Sequence, residues 1–258
     1  MAQPRALILR TAGTNCDRET AYAFGLAGAE TDFLHVNELV HNPRALDAVQ
    51  VLAVPGGFTY GDDIAAGKIL ANQLYHHLYD KLVDFVERDR LVIGICNGFQ
   101  VLAKTGLLPG WGGGAADQRI TLTHNDEGRF ECRWVHLSSP GSRCVFFPEA
   151  GQIALPVAHA EGKFVTKAKD DLKKLIDSGQ VVFRYCAPDG SEPDYPDNPN
   201  GSMDRIAGVC DSTGRVLGLM PHPERFVRRE QHPNWTRGGL PKEGDGLALF
   251  RNAVNYFG

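Results

Sequence analysis

Short apolar runs alternate with longer amphipathic stretches through the first half of the chain. Wholly apolar runs are typical of strands buried on both faces, whereas apolar positions three or four apart are typical of helices. The first pattern predicts strands over residues 5–9, 31–36, 51–54 and 91–95. The second predicts helices over about 16–27 and 64–88, the longer one with an apolar face of Leu70, Leu74, Leu78, Leu82 and Phe85. Such alternation indicates a parallel sheet covered on both faces, which binds ligands at the carboxyl ends of its strands.

The pattern changes beyond about residue 118. Shorter runs favour antiparallel strands over 129–136, 153–158 and 181–186, followed by a buried strand over 216–220. Helices are predicted near 169–178 and over 246–257, and the Pro- and Gly-rich stretch 188–202 is predicted to be a loop. Neither an internal repeat nor a linker divides the chain. We therefore expect one α/β domain over residues 1–258, with a mostly parallel sheet flanked by helices.

The fourth predicted strand runs directly into Gly94-Ile95-Cys96-Asn97-Gly98. A strand that ends in Gly-x-Cys-x-Gly before a helix is the thiol form of the nucleophile elbow, a sharp turn that leaves room only for glycine two residues either side of the nucleophile. The turn exposes the sulfur at the sheet edge and aims backbone N–H groups at a developing oxyanion. The helix N-terminus favours the thiolate. This segment predicts acyl transfer by Cys96.

A base and its orienting acid are predicted in Pro221-His222-Pro223-Glu224, which follows the strand over 216–220. Residues two apart in an extended segment project to the same side, and Pro223 biases His222 toward extended geometry. We therefore expect the His222 and Glu224 side chains to lie together, at the same sheet edge as Cys96. Cys96, His222 and Glu224 form a candidate catalytic triad.

Composition argues against several other classes of protein. The 258-residue chain has a formal net charge of −4 with scattered Lys and Arg, which argues against nucleic acid as a partner. No apolar stretch reaches membrane-spanning length, the N-terminus shows no signal-peptide pattern, and the six cysteines are dispersed, so the expected location is the cytoplasm. The sequence from Gly61 to Ile69 has the wrong spacing for a phosphate-binding loop, and His76-His77 lack metal-ligand spacing. No metal site is predicted.

Several further blocks carry a family resemblance. They include Gly-Gly-Phe-Thr-Tyr-Gly-Asp at 56–62, Asn-Gly-Phe-Gln at 97–100, Asn-Pro-Asn-Gly-Ser at 198–202, and the stretches 13–20, 158–162 and 217–225. Together with the triad, they resemble the class I (triad) glutamine amidotransferases, and among these the glutaminase subunits of phosphoribosylformylglycinamidine synthase. The resemblance spans nearly the whole chain and implies the flavodoxin-like fold of that class, with its nucleophile elbow.

The resemblance also implies a reaction. The Cys96 thiolate would attack the side-chain amide of glutamine, with the backbone N–H groups of Gly57 and Asn97 stabilising the oxyanion. Ammonia would pass to a large synthetase subunit, which uses ATP to convert formylglycinamide ribonucleotide to its amidine in purine biosynthesis. ATP and magnesium are expected on that partner and no cofactor on this chain, and a third small subunit is left open.

Gln100, His159 and Glu161 are candidate substrate-binding residues. Gln100, one turn past Cys96, is also consistent with bracing the elbow, and His159 and Glu161 are equally consistent with a second acid–base pair or a partner-facing role. Two departures from the family pattern, Ala160 and the residues after Asp62, are expected to affect the glutamine pocket and partner docking respectively.

Several alternatives remain open. The chain is also compatible with a glutaminase for another synthase, a free-standing cysteine hydrolase, or a catalytically inactive regulatory subunit. Cys16 lies at a predicted helix start, where a packing role is favoured over a chemical one. The remaining cysteines, Cys132, Cys144, Cys186 and Cys210, are interpreted as structural. Trp235 is expected to anchor the C-terminal segment on the sheet.

Overall fold

A nine-stranded mixed sheet forms the centre of the computed structural model, which describes residues 3–258. The strands of the chain are β1 (Arg5–Arg10), β2 (Glu30–His35), β3 (Val51–Val54), β4 (Leu91–Ile95), β5 (Ile120–Thr123), β6 (Glu131–Pro140), β7 (Ala150–His159), β8 (Lys163–Thr166), β9 (Val181–Cys186), β10 (Ile206–Cys210) and β11 (Val216–Leu219). The order in the large sheet is β2-β1-β3-β4-β11-β10-β9-β6-β7, and β5 pairs with β8 separately.

The helices are α1 (Asp17–Ala27), α2 (Val36–His41), α3 (Lys68–Glu87), α4 (Asn97–Thr105), α5 (Lys169–Asp177) and α6 (Leu247–Asn255). Helices α1, α3 and α4 pack on the parallel strands, whereas α5 packs on β8. The predicted apolar face of α3 is buried, and α6 packs on α1 through Phe24 and Phe250, whose rings meet edge-on with centroids 4.9 Å apart. None of the helices in the described part of the chain is both long and apolar enough to cross a membrane.

The strand directions agree with the sequence prediction: the pairings among β2, β1, β3, β4 and β11 are parallel, and β6, β7 and β9 pair antiparallel. The sheet also contains β10, a strand that was not predicted, which pairs antiparallel with β11 and β9. The helix predicted from residue 64 begins only at Lys68, because Gly67 has a φ of 70°, which a helix does not accept.

The C-terminal segment is anchored by a different residue from the one predicted. Trp235 is 46% exposed, whereas Phe226 is 2% exposed. The Phe226 ring meets the Trp134 ring of β6 edge-on at 5.0 Å. The expected anchor at Trp235 is therefore wrong, because the chain leaves the core soon after Phe226.

The register of three neighbouring strands positions the site. Val54 of β3 pairs with Gly94 of β4, and Ile95 of β4 pairs with Leu219 of β11, all in parallel. The three strands therefore end at one edge, and the loops that follow them are brought together there. The Cys96 N–H donates to the Leu219 carbonyl oxygen at 2.8 Å and fixes the last step of this register.

Candidate active site

Cys96 occupies a strained turn between β4 and the buried helix α4. Its φ of 52° and ψ of −105° are unusual for a residue with a side chain. A methyl group on Gly98 would lie 1.8 Å from the Val54 carbonyl oxygen, and one on Gly94 would lie 2.6 Å from the Gly98 carbonyl oxygen. Both glycines are therefore required by close backbone approach, which is the geometry of a nucleophile elbow.

His222 and Glu224 form a buried pair at the end of β11. Their Nδ1 and Oε1 atoms are 2.6 Å apart, and the residues are 1% and 0% exposed. The sequence predicted an extended segment, but Pro223–Arg225 forms a 3₁₀ turn. The turn, rather than the alternation of an extended chain, brings the two side chains together.

The environment of His222 favours its charged form. Burial by itself lowers the pKa of the imidazole, but the Glu224 carboxylate and the nearby Cys96 and Cys16 thiols outweigh burial and raise the pKa well above its usual value. The Nε2 atom of His222 is buried and has no hydrogen-bond partner among the described residues. His222 thus combines an oriented Nδ1 with a free Nε2, as a general base requires.

The side chain of Asn97 ties the elbow to the loop after β3. Its Oδ1 accepts hydrogen bonds from the Thr59 hydroxyl at 2.7 Å and the Thr59 N–H at 3.2 Å. The backbone N–H groups of Gly57 and Asn97 donate to no acceptor in residues 3–258. A methyl group on Gly57 would lie 2.5 Å from the Gly13 carbonyl oxygen, so this loop also requires glycine.

A cavity of about 200 Å³ opens beside Cys96. Among the residues that line it are Asp62, Gln100, His159 and Glu161. Gln100 accepts a hydrogen bond from the Asn97 amide at 2.9 Å and donates to the Glu161 carbonyl oxygen at 2.6 Å, so it braces the wall of the cavity. We name this space the carboxylate cavity, after Asp62 and Glu161.

The ionisable groups of the carboxylate cavity have perturbed pKa values. Burial raises the pKa of Asp62, partly offset by hydrogen bonds from Gly67 and Asn97, and the neighbouring Glu161 carboxylate adds to the rise. Burial, together with the charge of His222, lowers the pKa of His159 to about 4. Both ring nitrogens of His159 are buried without a partner in the described chain. A neutral His159 does not suit an acid–base pair with Glu161, whereas it suits a pocket wall.

A second cavity, of about 150 Å³, also reaches Cys96. It shares Gly57, Phe58 and Ala158 with the carboxylate cavity. The residues that line only this one are Asn15, Phe130, His222 and Arg225. We name it the arginine cavity.

Cys16 lies behind the candidate triad. Its Sγ accepts a hydrogen bond from Arg225 Nη2 at 3.0 Å and lies 4.0 Å from His222 Nδ1. Cys16, His222 and Glu224 place potential metal-ligand atoms within 4.8 Å of one another. The Arg225 guanidinium places a positive charge beside the Cys16 sulfur, and the Nδ1 atom of His222 is already hydrogen-bonded to Glu224. The cluster therefore fits the support of the triad better than a cation site.

Sequence reasoning missed several residues around Cys96. Thr59, Phe130 and Arg225 were assigned no role, and Asp62 was interpreted as a turn or helix-start residue that also belongs to the family-like block. Thr59 and Asp62 lie within a block that carried the resemblance, and Arg225 directly follows the triad acid. Phe130 has no such signal, because only the fold brings it near Cys96. Among the cysteines interpreted as structural, Cys132 is exposed and contributes nothing to the core.

Comparison with known proteins identifies relatives along the whole chain. A family model for the CobB/CobQ-like glutamine amidotransferase domain matches residues 3–257. Phosphoribosylformylglycinamidine synthase subunit PurQ from Dehalococcoides mccartyi is 50% identical over 258 aligned residues, which cover 99% of this chain and 98% of the relative. The subunit of the same name from Methanococcus maripaludis is 41% identical, covering 98% of this chain and 97% of the relative.

Solved structures support the same fold. A chain in the structure of PurLQS from Thermotoga maritima superposes with a TM-score of 0.75 and 32% identity, covering 100% of both chains. A glutamine amidotransferase from Methylobacillus flagellatus superposes with a TM-score of 0.55 at 13% identity, covering 99% of this chain and 96% of that one, and shows the fold alone. The α/β fold class expected from the sequence is confirmed.

Proposed function

The chain belongs to the CobB/CobQ-like glutamine amidotransferase family, and from this we infer that it is the glutaminase subunit of a phosphoribosylformylglycinamidine synthase. The observation that carries the assignment is the strained Cys96 beside a buried His222–Glu224 pair whose Nε2 atom is free. Two relatives that align with nearly the whole chain have the subunit name PurQ. The presence of Cys96, His222 and Glu224 at one sheet edge argues against an inactive regulatory subunit.

The reaction begins with proton transfer from Cys96 to His222. The thiolate attacks the side-chain amide carbon of glutamine, and the backbone N–H groups of Gly57 and Asn97 stabilise the oxyanion. His222 returns the proton to the amide nitrogen, the C–N bond breaks, and ammonia leaves a glutamyl thioester on Cys96. Water, activated by His222, then releases glutamate and the free thiol. The balance is glutamine and water to glutamate and ammonia.

The carboxylate cavity is the glutamine site. Asp62 and Glu161 place carboxylates where they attract the α-ammonium group of the substrate, and Gln100 offers an amide near the same end. His159 contributes a neutral wall, because its lowered pKa of about 4 keeps it uncharged near neutral pH. The substrate is held with its side-chain amide toward Cys96.

The released ammonia is used by a partner. The Thermotoga maritima relative was solved as PurLQS, and by analogy this chain joins a large synthetase subunit together with a third, small one. ATP and magnesium bind that synthetase subunit, which makes formylglycinamidine ribonucleotide from formylglycinamide ribonucleotide. The assembly works in the cytoplasm.

Glutamate release from glutamine tests this function. The purified chain is assayed alone and with the synthetase subunits, formylglycinamide ribonucleotide and ATP. Strong stimulation by the complete mixture is expected. Cys96→Ala should abolish glutamine-dependent synthesis but leave ammonia-dependent synthesis by the complex intact. Activity of the lone chain that the partners do not change would instead indicate a free-standing hydrolase.

A further inference from the structure

We propose that Cys16 is a positioning residue whose sulfur holds the Arg225 guanidinium and so keeps it from pairing with Glu224. Glu224 then remains the partner of His222 alone. The inference rests on the proposed glutaminase function and adds to the triad a residue that acts only through the His222–Glu224 pair. Cys16 itself transfers no proton in this role.

The carboxylate of Glu224 has one oxygen in use and one without a partner. Its Oε1 atom lies 2.6 Å from His222 Nδ1, whereas Oε2 is buried and has no hydrogen-bond partner among residues 3–258. Arg225 Nε lies 3.9 Å from Oε1, which is too long for a hydrogen bond. A guanidinium beside a carboxylate usually forms two parallel hydrogen bonds with it. Since both residues belong to the same 3₁₀ turn, something must hold the guanidinium away from Glu224.

The thiol of Cys16 is what holds it. Arg225 Nη2 donates to Cys16 Sγ at 3.0 Å, and the thiol can donate in turn to the Asn15 side-chain oxygen, 3.1 Å from the sulfur. The thiol therefore acts as donor and acceptor at once. Burial by itself lowers the pKa of Arg225, but Cys16 and Glu224 outweigh it and raise the pKa, so the guanidinium keeps its charge. Without Cys16, the nearest acceptor for that charge is Glu224.

The position of the Cys16 sulfur is fixed on several sides. Cys16 is the N-cap residue of α1, yet its side chain makes no capping hydrogen bond. Its N–H donates to the Gly56 carbonyl oxygen at 3.2 Å, and its carbonyl oxygen accepts the Thr20 hydroxyl at 2.7 Å. A methyl group on Gly56 would lie 2.9 Å from His222 Cε1 and 3.2 Å from Cys16 Sγ. The sulfur is thus packed between the imidazole and the guanidinium, where it cannot follow a moving arginine.

The undivided carboxylate of Glu224 matters for the chemical step. His222 becomes an imidazolium when it takes the proton of Cys96, and the Glu224 carboxylate stabilises that charge and orients the ring. A carboxylate paired with Arg225 would do both less well, so proton transfer would slow. The carboxylate cavity, where glutamine binds, would be unaffected. Loss of Cys16 should therefore lower kcat and leave KM nearly unchanged.

The first test removes the acceptor and then restores it, with glutamate formation measured in the assembled complex. Cys16→Ala should lower kcat by about tenfold or more and keep KM within about twofold of wild type. Cys16→Ser keeps both a donor and an acceptor, so its kcat should stay within about threefold of wild type. Cys144→Ala removes another fully buried thiol and is the matched control, which should leave kcat unchanged.

A double-mutant cycle separates this role from the void that the missing sulfur leaves. Cys16→Ala combined with Arg225→Met has no guanidinium to pair with Glu224 and should recover most of the lost kcat. Arg225→Met alone completes the cycle and should lower kcat less than Cys16→Ala does. The void is the same in the single and the double variant, so a purely structural role of Cys16 gives no recovery.

A crystal structure of Cys16→Ala gives a readout besides activity. It should show a guanidinium nitrogen of Arg225 within about 3.2 Å of a Glu224 carboxylate oxygen. If the alanine variant does not fold, Cys16→Val fills the space without an acceptor and repeats the kinetic and structural tests.

An unchanged kcat without the Cys16 thiol would overturn the proposal, as would a double variant no more active than the single one. Absence of glutamate formation by the wild-type complex would instead contradict the glutaminase function itself.

Discussion

The side-chain oxygen of Asn97 accepts a hydrogen bond from the Thr59 hydroxyl, with the two oxygen atoms 2.7 Å apart, and both residues are buried. This bond joins the residue after the nucleophile to the loop that holds Gly57. The two backbone N–H groups assigned to the oxyanion therefore belong to one hydrogen-bonded unit, although they follow different strands. The Asn97 amide extends the unit to Asp62 at 3.1 Å and to Gln100, and so into the carboxylate cavity.

Thr59→Val should lower kcat for glutamine hydrolysis by about tenfold with little change in KM, because a loosened Gly57 loop weakens a hydrogen bond used in the transition state. Thr59→Ser keeps the hydroxyl and should retain nearly full activity. Steady-state glutaminase kinetics in the complex provide the measurement. A rise in KM with unchanged kcat would place Thr59 in substrate binding instead.

The triad predicts an order of severity. His222→Ala should reduce kcat about 10⁶-fold and Glu224→Gln about 10⁴-fold. The reason is that His222 transfers the proton, whereas Glu224 only orients the imidazole and stabilises its protonated form. In Glu224→Gln the carboxylate that raises the His222 pKa is gone, so the apparent pKa of kcat/KM should move downward. The reverse order of severity would contradict the roles assigned to the two residues.

His159 should make the protein less stable in mild acid. Burial lowers its pKa to about 4 in the folded state, whereas the unfolded chain keeps the usual value. Between about pH 6.5 and pH 4, the unfolded state therefore binds a proton at this histidine and the folded state does not. The free energy of unfolding is at its full value above about pH 6.5 and falls progressively toward pH 4. The contribution is ~3 kcal/mol.

Urea unfolding of wild type and His159→Leu at several pH values between neutrality and pH 4 measures this contribution. The variant should show a shallower loss of unfolding free energy, whereas His77→Leu, on the exposed face of α3, should follow wild type. Parallel curves for wild type and His159→Leu would rule out the effect.

Gly98→Ala should cost more than about 3 kcal/mol of unfolding free energy, because its methyl group would overlap the Val54 carbonyl oxygen at 1.8 Å. Gly25→Ala in α1 is the matched control. Its methyl group meets nothing within 4 Å, so the substitution should stabilise the helix by ~0.5–1 kcal/mol. Thermal unfolding of both variants checks the contrast, and a Gly98→Ala variant as stable as wild type would show that the elbow tolerates a side chain.

The local sequence determined the features that depend on a few neighbouring residues. Apolar runs predicted the parallel strands, and Gly-x-Cys-x-Gly predicted the turn at Cys96, because the steric limits of a tight turn act over adjacent residues. The proximity of His222 and Glu224 was also predicted, but from an extended segment, whereas the 3₁₀ turn over Pro223–Arg225 is what brings their side chains together.

Tertiary structure alone decided which distant residues meet. Arg225 reaches Cys16 across 209 positions, and Phe130 approaches Phe58 from a segment outside the parallel strands. The burial of both His159 ring nitrogens, without a partner among residues 3–258, likewise depends on how β7 is packed. Such contacts follow from strand register and sheet order, which are set by the burial of the whole core and not by any short stretch of sequence. For that reason the candidate triad could be predicted from motifs, whereas the two cavities beside it could not.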